Sequence, residues 1–119
     1  MIKTKGNYTL ENRKKMRGGE GEVKIEKLWE PGSELKAKTR LFARLIIEPG
    51  SSIGFHKHEN EEEVFYILKG TAEINDNGDI FILNEGDSSL TGAGRGHSIK
   101  ALGNETLEVL AVISEYSKN

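Results

Sequence analysis

The sequence contains no cysteine, which excludes disulfide bonds, thiolate metal ligands and a cysteine nucleophile. Proline is scarce, with two residues, whereas the 14 glycines indicate frequent turns. No apolar run approaches the ~20 residues that a membrane-spanning helix needs. The first residues, MIKTKGNYTLENRKK, also lack the apolar stretch of a signal peptide. We therefore expect a cytoplasmic protein with no membrane partner.

An excess of one charge is lacking as well, because 17 Lys and Arg residues stand against 19 Asp and Glu residues. A formal net charge of -2 argues against a surface that binds nucleic acid. The basic stretch RKKMR at residues 13–17 is typical of a solvated loop. The length of 119 residues corresponds to one domain, with room for one modest core.

What the chain does contain is a series of short apolar segments separated by turn signals. EVKIEKLW, TRLFARLIIE, EVFYILKG and LEVLAVIS have the length and composition of strands. Asn77-Gly78 predicts a tight hairpin, since both residues accept positive φ. No segment shows sustained helical periodicity, so the pattern predicts an all-β sandwich or barrel over residues 22–119. Residues 1–21 are predicted to form an N-terminal arm with little structure of its own, able to dock as an edge strand or a dimer contact.

Two of the three histidines stand one residue apart in GFHKHENEEE, residues 54–63. Side chains alternate across a strand, so His56 and His58 leave the same face. If the next strand is antiparallel, Glu63 can face them, and His97 begins a further strand. Three imidazoles and one carboxylate suit Mn²⁺, Fe²⁺, Co²⁺, Ni²⁺ or Zn²⁺, and a six-coordinate ion keeps open positions. Taken alone, the stretch also fits a polar edge strand with a solvated acidic tail.

The residues around these histidines match the two sequence motifs of the cupin superfamily. The fixed positions of the first motif hold Gly50, His56, His58, Glu63 and Gly70. The second motif is matched at its outer glycines and its histidine, which are Gly86, Gly94 and His97. It departs from the family at two positions, where proline is replaced by Gly92 and asparagine by Ala101. The chain thus resembles cupins over roughly residues 38–115.

This resemblance implies a double-stranded β-helix, the cupin or jelly-roll barrel, with a metal held inside by His56, His58, Glu63 and His97. The TGAGRGHSI and LIIEPGSSIGFHKH stretches are similar to small single-domain cupins described as oxalate-decarboxylase-like. The departures fall at structural positions and leave the implied ligands intact. Small cupins commonly dimerise, so the resemblance also implies a homodimer.

The identity of the carboxylate ligand is ambiguous. In some cupins the spacing between the second histidine and the glutamate is one residue shorter, which would make Glu62 the ligand instead of Glu63. Parity favours Glu63, since Phe65 and Ile67 would then form an apolar inner wall. The alternative would turn Tyr66 inward.

No catalytic residue is assigned from the sequence. Glu61 and Glu62 are expected in solvent at the barrel mouth, where either could supply a proton. Tyr66 is a candidate pocket hydroxyl, although packing is the favoured interpretation.

Two classes of function follow. The first is a metal-dependent enzyme acting on a small carboxylate, keto-enol or sugar-like substrate, such as a decarboxylase, dioxygenase or isomerase. The second is a non-enzymatic cupin that binds or senses a small ligand. The complete ligand set favours the enzyme, whereas the lack of a lid loop with a convincing acid argues against oxalate decarboxylation.

Overall fold

The computed structural model of the protein describes residues 1–117, so the last two residues of the predicted 22–119 domain lie outside the described residues. Between residues 1 and 117 the chain forms ten strands and no α-helix, which confirms the all-β prediction. None of the described segments is a helix that could span a membrane. The strands are β1 (Thr9–Lys14), β2 (Glu22–Lys27), β3 (Thr39–Ile47), β4 (Ser52–Lys57), β5 (Glu61–Lys69), β6 (Thr71–Asp76), β7 (Asp79–Leu83), β8 (Ser88–Thr91), β9 (Gly96–Leu102) and β10 (Leu107–Glu115).

The strands assemble into two sheets whose neighbours come from distant parts of the chain. The six-stranded sheet has the order β1-β2-β3-β10-β5-β8, and the four-stranded sheet has the order β4-β9-β6-β7. The paired strands are antiparallel. Consecutive strands β3, β4 and β5 alternate between the two sheets, so both walls of the barrel contribute to one interior. This arrangement is the predicted jelly-roll barrel.

Strand β3 shows how alternation builds the core. Ala43, Leu45 and Ile47 are almost completely buried, whereas Arg44 and Ile46 point to the outer face and are half-buried. Leu45 and Ile47 thus face the barrel interior. Each such large side chain stabilises the fold by about 1.5–3 kcal/mol relative to an exposed position.

The hairpin between β6 and β7 follows from its turn residues. Asn77 and Gly78 have φ values of 52° and 108°, which lie in the left-handed region. The side-chain oxygen of Asn75 accepts a hydrogen bond of 2.7 Å from the backbone N–H of Gly78. The tight hairpin predicted at Asn77-Gly78 is confirmed.

The N-terminal segment lies against the barrel in two places. Strand β1 pairs with β2 and forms one edge of the six-stranded sheet. The 3₁₀ turn Met16–Gly18 then packs on β4. A Cβ added to Gly54 would lie 2.1 Å from the carbonyl oxygen of Arg17, so this backbone approach requires glycine. The turn is consequently fixed to the strand that carries His56.

Candidate metal centre

Three strands bring the predicted ligands together in the barrel interior. Strand β4 carries His56 and ends just before His58, while β5 carries Glu63 and β9 carries His97. His56 and His97 face each other across the β4–β9 ladder. The register of this ladder shifts between Ile53 and His56, as in a β-bulge, which re-aims the side chains that follow.

The donor atoms of the four residues converge. One nitrogen from each histidine and one oxygen of Glu63 all lie within 4.8 Å of one another. The Glu63 Oε1 atom is 2.9 Å from the Nε2 atom of His58 and 2.9 Å from that of His97. These two Nε2 atoms are 3.0 Å apart. His58, Glu63 and His97 are buried, and His56 is half-buried.

His56 and His58 are held by acceptors outside the cluster. The Nδ1 atom of His56 lies 2.8 Å from the carbonyl oxygen of Gly54. A carbonyl can only accept, so Nδ1 carries the proton and Nε2 keeps a lone pair. The Nδ1 atom of His58 donates in the same way to the Glu61 carboxylate, at 2.5 Å. Both contacts fix the tautomer in which Nε2 can bind a metal.

The third imidazole is oriented by a hydroxyl and an aromatic ring. The Nδ1 atom of His97 lies 2.8 Å from the Oγ1 atom of Thr91, which is itself buried. Phe65 stacks on the imidazole of His97 with ring centroids 4.7 Å apart and an interplanar angle of 2°. These contacts leave the Nε2 atom of His97 directed into the cluster.

The residues fit a divalent transition metal. In the neutral tautomer fixed by Glu61, His58 directs its Nε2 lone pair towards the Oε1 atom of Glu63, 2.9 Å away, an arrangement that a proton or a cation between them stabilises. Neighbouring donors in a regular octahedron with bonds of ~2.1 Å are ~3.0 Å apart. The separations of 2.9, 2.9 and 3.0 Å among Glu63, His58 and His97 match that spacing. The buried group therefore has the donor chemistry of a divalent-metal site, and three of its four donors also have the spacing that such an ion needs.

The electrostatics of the cluster act differently on its individual donors. Burial lowers the pKa of His56, so this imidazole is neutral at physiological pH. The hydrogen bond to Glu63 raises the pKa of His58, because the carboxylate favours the imidazolium. Burial alone would raise the pKa of Glu63, but hydrogen bonds from His58 and His97 outweigh it and lower the pKa. A metal ion must displace any proton that His58 holds.

Glu61 does not lie in solvent, as the sequence led us to expect. It is 8% exposed, and its carboxylate accepts two hydrogen bonds of 2.8 Å from Arg40 and one from His58. The Arg40 guanidinium lowers the pKa of Glu61 to about 2. Glu61 is thus ionised at neutral pH and orients His58. Its position two residues before Glu63 on the same strand was the available signal, because i and i+2 share a face.

The structure does not bring Glu62 or Tyr66 to the cluster. Glu62 turns to the other face of β5 and accepts a hydrogen bond of 2.8 Å from the hydroxyl of Tyr116. Tyr66 lies on the same outer face and is 42% exposed. Alternation along β5 gives the inner face to Glu61, Glu63 and Phe65 instead. Tyr66, the less favoured candidate for a pocket hydroxyl, therefore lies away from the cluster.

A cavity of about 180 Å³ opens beside the cluster. His56, His58 and Glu63 line it, together with apolar side chains that include Ile53 and Phe65. Its volume exceeds several-fold the ~30 Å³ that one water occupies. Four cationic residues also line it, which are Arg13, Arg17, Lys27 and Arg40. The cavity can hold a small anionic molecule next to the metal site.

Fold and site together define a cupin, and the family described as Cupin domain matches residues 43–113, so the chain belongs to it. An oxalate-binding protein of Thermotoga maritima is 44% identical over 113 residues, which cover 95% of this chain and 93% of that protein. A crystal structure from Thermotoga maritima, described as a predicted oxalate decarboxylase, is 43% identical with a TM-score of 0.91, covering 97% and 99% of the two chains. The Cnp3 cupin domain of Schizosaccharomyces pombe is 16% identical with a TM-score of 0.72, covering 92% of this chain and 69% of that one, a likeness of fold alone. The resemblance to oxalate-decarboxylase-like cupins is confirmed.

Proposed function

We propose that this protein binds a divalent transition-metal ion through His56, His58, Glu63 and His97, and that the bound ion holds a small carboxylate, with oxalate the foremost candidate. One observation carries the proposal. Three imidazole nitrogens and one carboxylate oxygen converge within 4.8 Å beside a cavity with cationic residues. The oxalate-binding relative from Thermotoga maritima supports the choice of ligand.

The charge of the donor set explains why an anion would bind. Glu63 contributes one negative charge, and the metal-binding histidines are neutral ligands, so a bound dication keeps one unit of net positive charge. When bound, the ion supplies a Lewis-acidic centre with coordination positions open to oxygen ligands. The buried surroundings strengthen the attraction, because charges interact more strongly where water is excluded. The candidate ions are Mn²⁺, Fe²⁺, Co²⁺, Ni²⁺ and Zn²⁺.

Binding without turnover is favoured over the metal-dependent enzyme that we expected from the ligand set. Decarboxylation of oxalate needs a proton donor beside the substrate. Among the described residues, two glutamates line the cavity, Glu11 and Glu63. A hydrogen bond from Arg13 lowers the pKa of Glu11, and Glu63 belongs to the metal site. Since Glu61 is also ionised, none of these three carboxyls holds a proton at neutral pH.

Metal analysis tests the site. Wild-type protein, His56→Ala and His97→Ala would be loaded with Mn²⁺, desalted and measured by inductively coupled plasma mass spectrometry. Lys57→Ala is the matched control, because Lys57 stands beside His56 on β4 and is exposed. We expect both histidine variants to lose the ion and the control to retain it. Full metal content in both histidine variants would overturn the assignment.

Calorimetric titration of oxalate then tests the ligand. The Mn²⁺-loaded wild-type protein should bind oxalate, and the metal-free protein should not. CO₂ release and O₂ uptake would be followed in the same samples. Sustained CO₂ release would replace the binding proposal by decarboxylation, and absence of oxalate binding to the loaded protein would reject oxalate as the ligand.

We also propose that the protein is a homodimer. Strands β5 and β8 pair, and their outer faces carry exposed apolar side chains. These are Val64, Tyr66, Leu68 and Leu90. Multi-angle light scattering should give twice the monomer mass, and the substitution Val64→Lys should shift it towards the monomer. A monomeric wild-type protein at micromolar concentration would contradict the proposal.

A further inference from the structure

We propose that Arg17 selects dianionic carboxylates at the metal centre by binding the ligand oxygens that the metal ion does not hold. This inference deepens the proposed function and rests on it. Nothing in the motif positions points to Arg17, because it lies in the N-terminal segment, far in sequence from His56. The argument comes from ion pairing, backbone conformation and packing.

Arg17 differs from the other cations of the cavity in its ion pairing. Arg13 and Lys27 both contact the carboxylate of Glu11, at 3.1 and 3.6 Å. Arg40 makes its two hydrogen bonds to the buried carboxylate that orients a metal ligand. Among residues 1–117, Arg17 forms no ion pair with an acidic side chain, although it lines the same cavity. Arg17, which is exposed, is therefore the cationic residue of this cavity lining that no acidic side chain of the described residues neutralises.

The backbone of Arg17 is held in an uncommon conformation. Its φ and ψ are 55° and 30°, in the left-handed region that side chains other than glycine, asparagine and aspartate rarely adopt. Lys15, two residues earlier, has φ 48°. Such conformations persist where surrounding contacts impose them, and they cluster at ligand-binding sites. The conformation of Arg17 is thus imposed by the packing of the turn.

That packing ties Arg17 to the metal-binding strand. A Cβ on Gly54 would lie 2.1 Å from the carbonyl oxygen of Arg17, and a Cβ on Gly19 would lie 2.2 Å from the carbonyl oxygen of Ser52. The backbone N–H of Ser52 also donates to the carbonyl oxygen of Glu20, at 2.9 Å. These contacts hold the turn on β4, the strand that presents His56. Arg17 and the metal centre are therefore positioned by one rigid unit on one cavity.

The chemistry of a dicarboxylate explains what this arrangement would recognise. When oxalate chelates a metal through one oxygen of each carboxylate, two further oxygens point away and carry the remaining charge. A guanidinium presents parallel N–H donors that match such a pair of oxygens, and charge-assisted hydrogen bonds of this kind are strong. A monoanion of the same shape lacks the second charge. Arg17 would therefore discriminate ligands by charge, whereas the metal would bind either.

The test compares oxalate with oxamate, which has the same size but carries an amide in place of one carboxylate. Both would be titrated calorimetrically into Mn²⁺-loaded wild-type protein, Arg17→Gln and Arg17→Lys. The matched control is Lys15→Gln, which removes a charge from the same segment and from a similar backbone conformation outside the cavity lining. Metal content and circular dichroism would be measured for each variant.

We expect Arg17→Gln to weaken oxalate binding by about 10- to 100-fold and oxamate binding much less, so that the preference for oxalate largely disappears. Arg17→Lys should retain part of it, and Lys15→Gln should resemble the wild type. An unchanged oxalate preference in Arg17→Gln would overturn the proposal. An equal loss of that preference in Lys15→Gln would also overturn it, because any nearby positive charge would then have the same electrostatic effect. If the wild-type protein binds neither ligand, the proposed function fails instead, so the two failures are distinguishable. Should Arg17→Gln misfold, the oxalate preference of Arg17→Lys decides the question.

Discussion

Replacing Glu61 by glutamine tests whether the contacts from Arg40 through Glu61 to His58 orient a metal ligand. The ordinary pKa of 4.5 falls to about 2 in the folded protein. At ~1.36 kcal/mol for each pKa unit, this difference corresponds to about 3 kcal/mol of stability at neutral pH. The side chain of Glu61 is only 11% exposed, so most of this stabilisation is retained in water. Solvent screens part of it, because the side chain of Arg40 is 45% exposed. We therefore expect Glu61→Gln to destabilise the metal-free protein by about 2–3 kcal/mol at pH 7.

The pH dependence provides a sharper test than the magnitude. Because the pKa is lower in the folded state, the contribution is complete above pH ~5, where both states are ionised. As the pH falls from 4.5 towards 2, the unfolded chain takes up the proton first, and the stabilisation is lost. The difference between wild type and Glu61→Gln should thus shrink to about 1 kcal/mol at pH 3. Guanidinium denaturation in EDTA at pH 3, 4, 5 and 7 would measure it.

The same substitution should weaken metal binding. A glutamine amide can donate to Nδ1 of His58, which would place the imidazole proton on Nε2 and block that ligand. Loss of such a partner costs about 10- to 100-fold in metal affinity. Glu62→Gln is the matched control, because the neighbouring carboxylate faces away and contacts Tyr116. Equal stability differences at pH 3 and pH 7, or an unchanged metal affinity, would refute the reasoning.

Three further predictions address the surroundings of the site. Gly54→Ala should destabilise the protein by about 2–3 kcal/mol, measured by guanidinium denaturation, because the new methyl group would clash with the Arg17 carbonyl; Gly92→Ala, with open space around it, should change stability by less than ~0.5 kcal/mol. Arg17→Gly should raise the free energy of unfolding by about 0.5–1 kcal/mol, since relief of the left-handed conformation exceeds the added chain entropy, while calorimetry should show weaker oxalate binding; a loss of stability would contradict the imposed conformation. Thr91→Val should lower Mn²⁺ affinity about 10-fold by removing the partner of His97 Nδ1, and an unchanged affinity would show that stacking on Phe65 suffices.

Most of the barrel could be predicted because its determinants are local. The alternation of apolar side chains specifies strands β3 and β10 within a few residues. The Asn77-Gly78 pair likewise specifies a chain reversal. The proximity of His56, His58, Glu63 and His97 followed from the spacing of the cupin motifs, and the structure brings these side chains together. Periodicity alone predicted a shared face for His56 and His58, whereas the resemblance to cupins implied that Glu63 and His97 join them.

The role of Glu61 was missed because it depends on where β5 begins. A strand starting at residue 63 would leave Glu61 in a loop, whereas the structure starts β5 at Glu61 and thereby turns it inward beside Glu63. The partner that holds it, Arg40, lies at the beginning of β3, and no local pattern connects the two. Contacts between side chains on distant strands require the three-dimensional register.

The position of Arg17 could not be predicted from the sequence for a different reason. It is determined by backbone contacts with another segment of the chain, and no local sequence pattern indicates them. The RKKMR stretch is basic and polar, and as a solvated loop it would have no fixed relation to the barrel. The missing Cβ atoms of Gly19 and Gly54 change this, because they let the turn approach β4 closely enough for backbone contact. The bulge after Ile53 lies in the same strand, so one short segment both re-aims His56 and anchors the turn. A displacement of that segment would move a metal ligand and the proposed selectivity residue together, which is why Gly54→Ala should impair metal binding and the preference for oxalate in a single step, whereas Arg17→Gln should affect the preference alone.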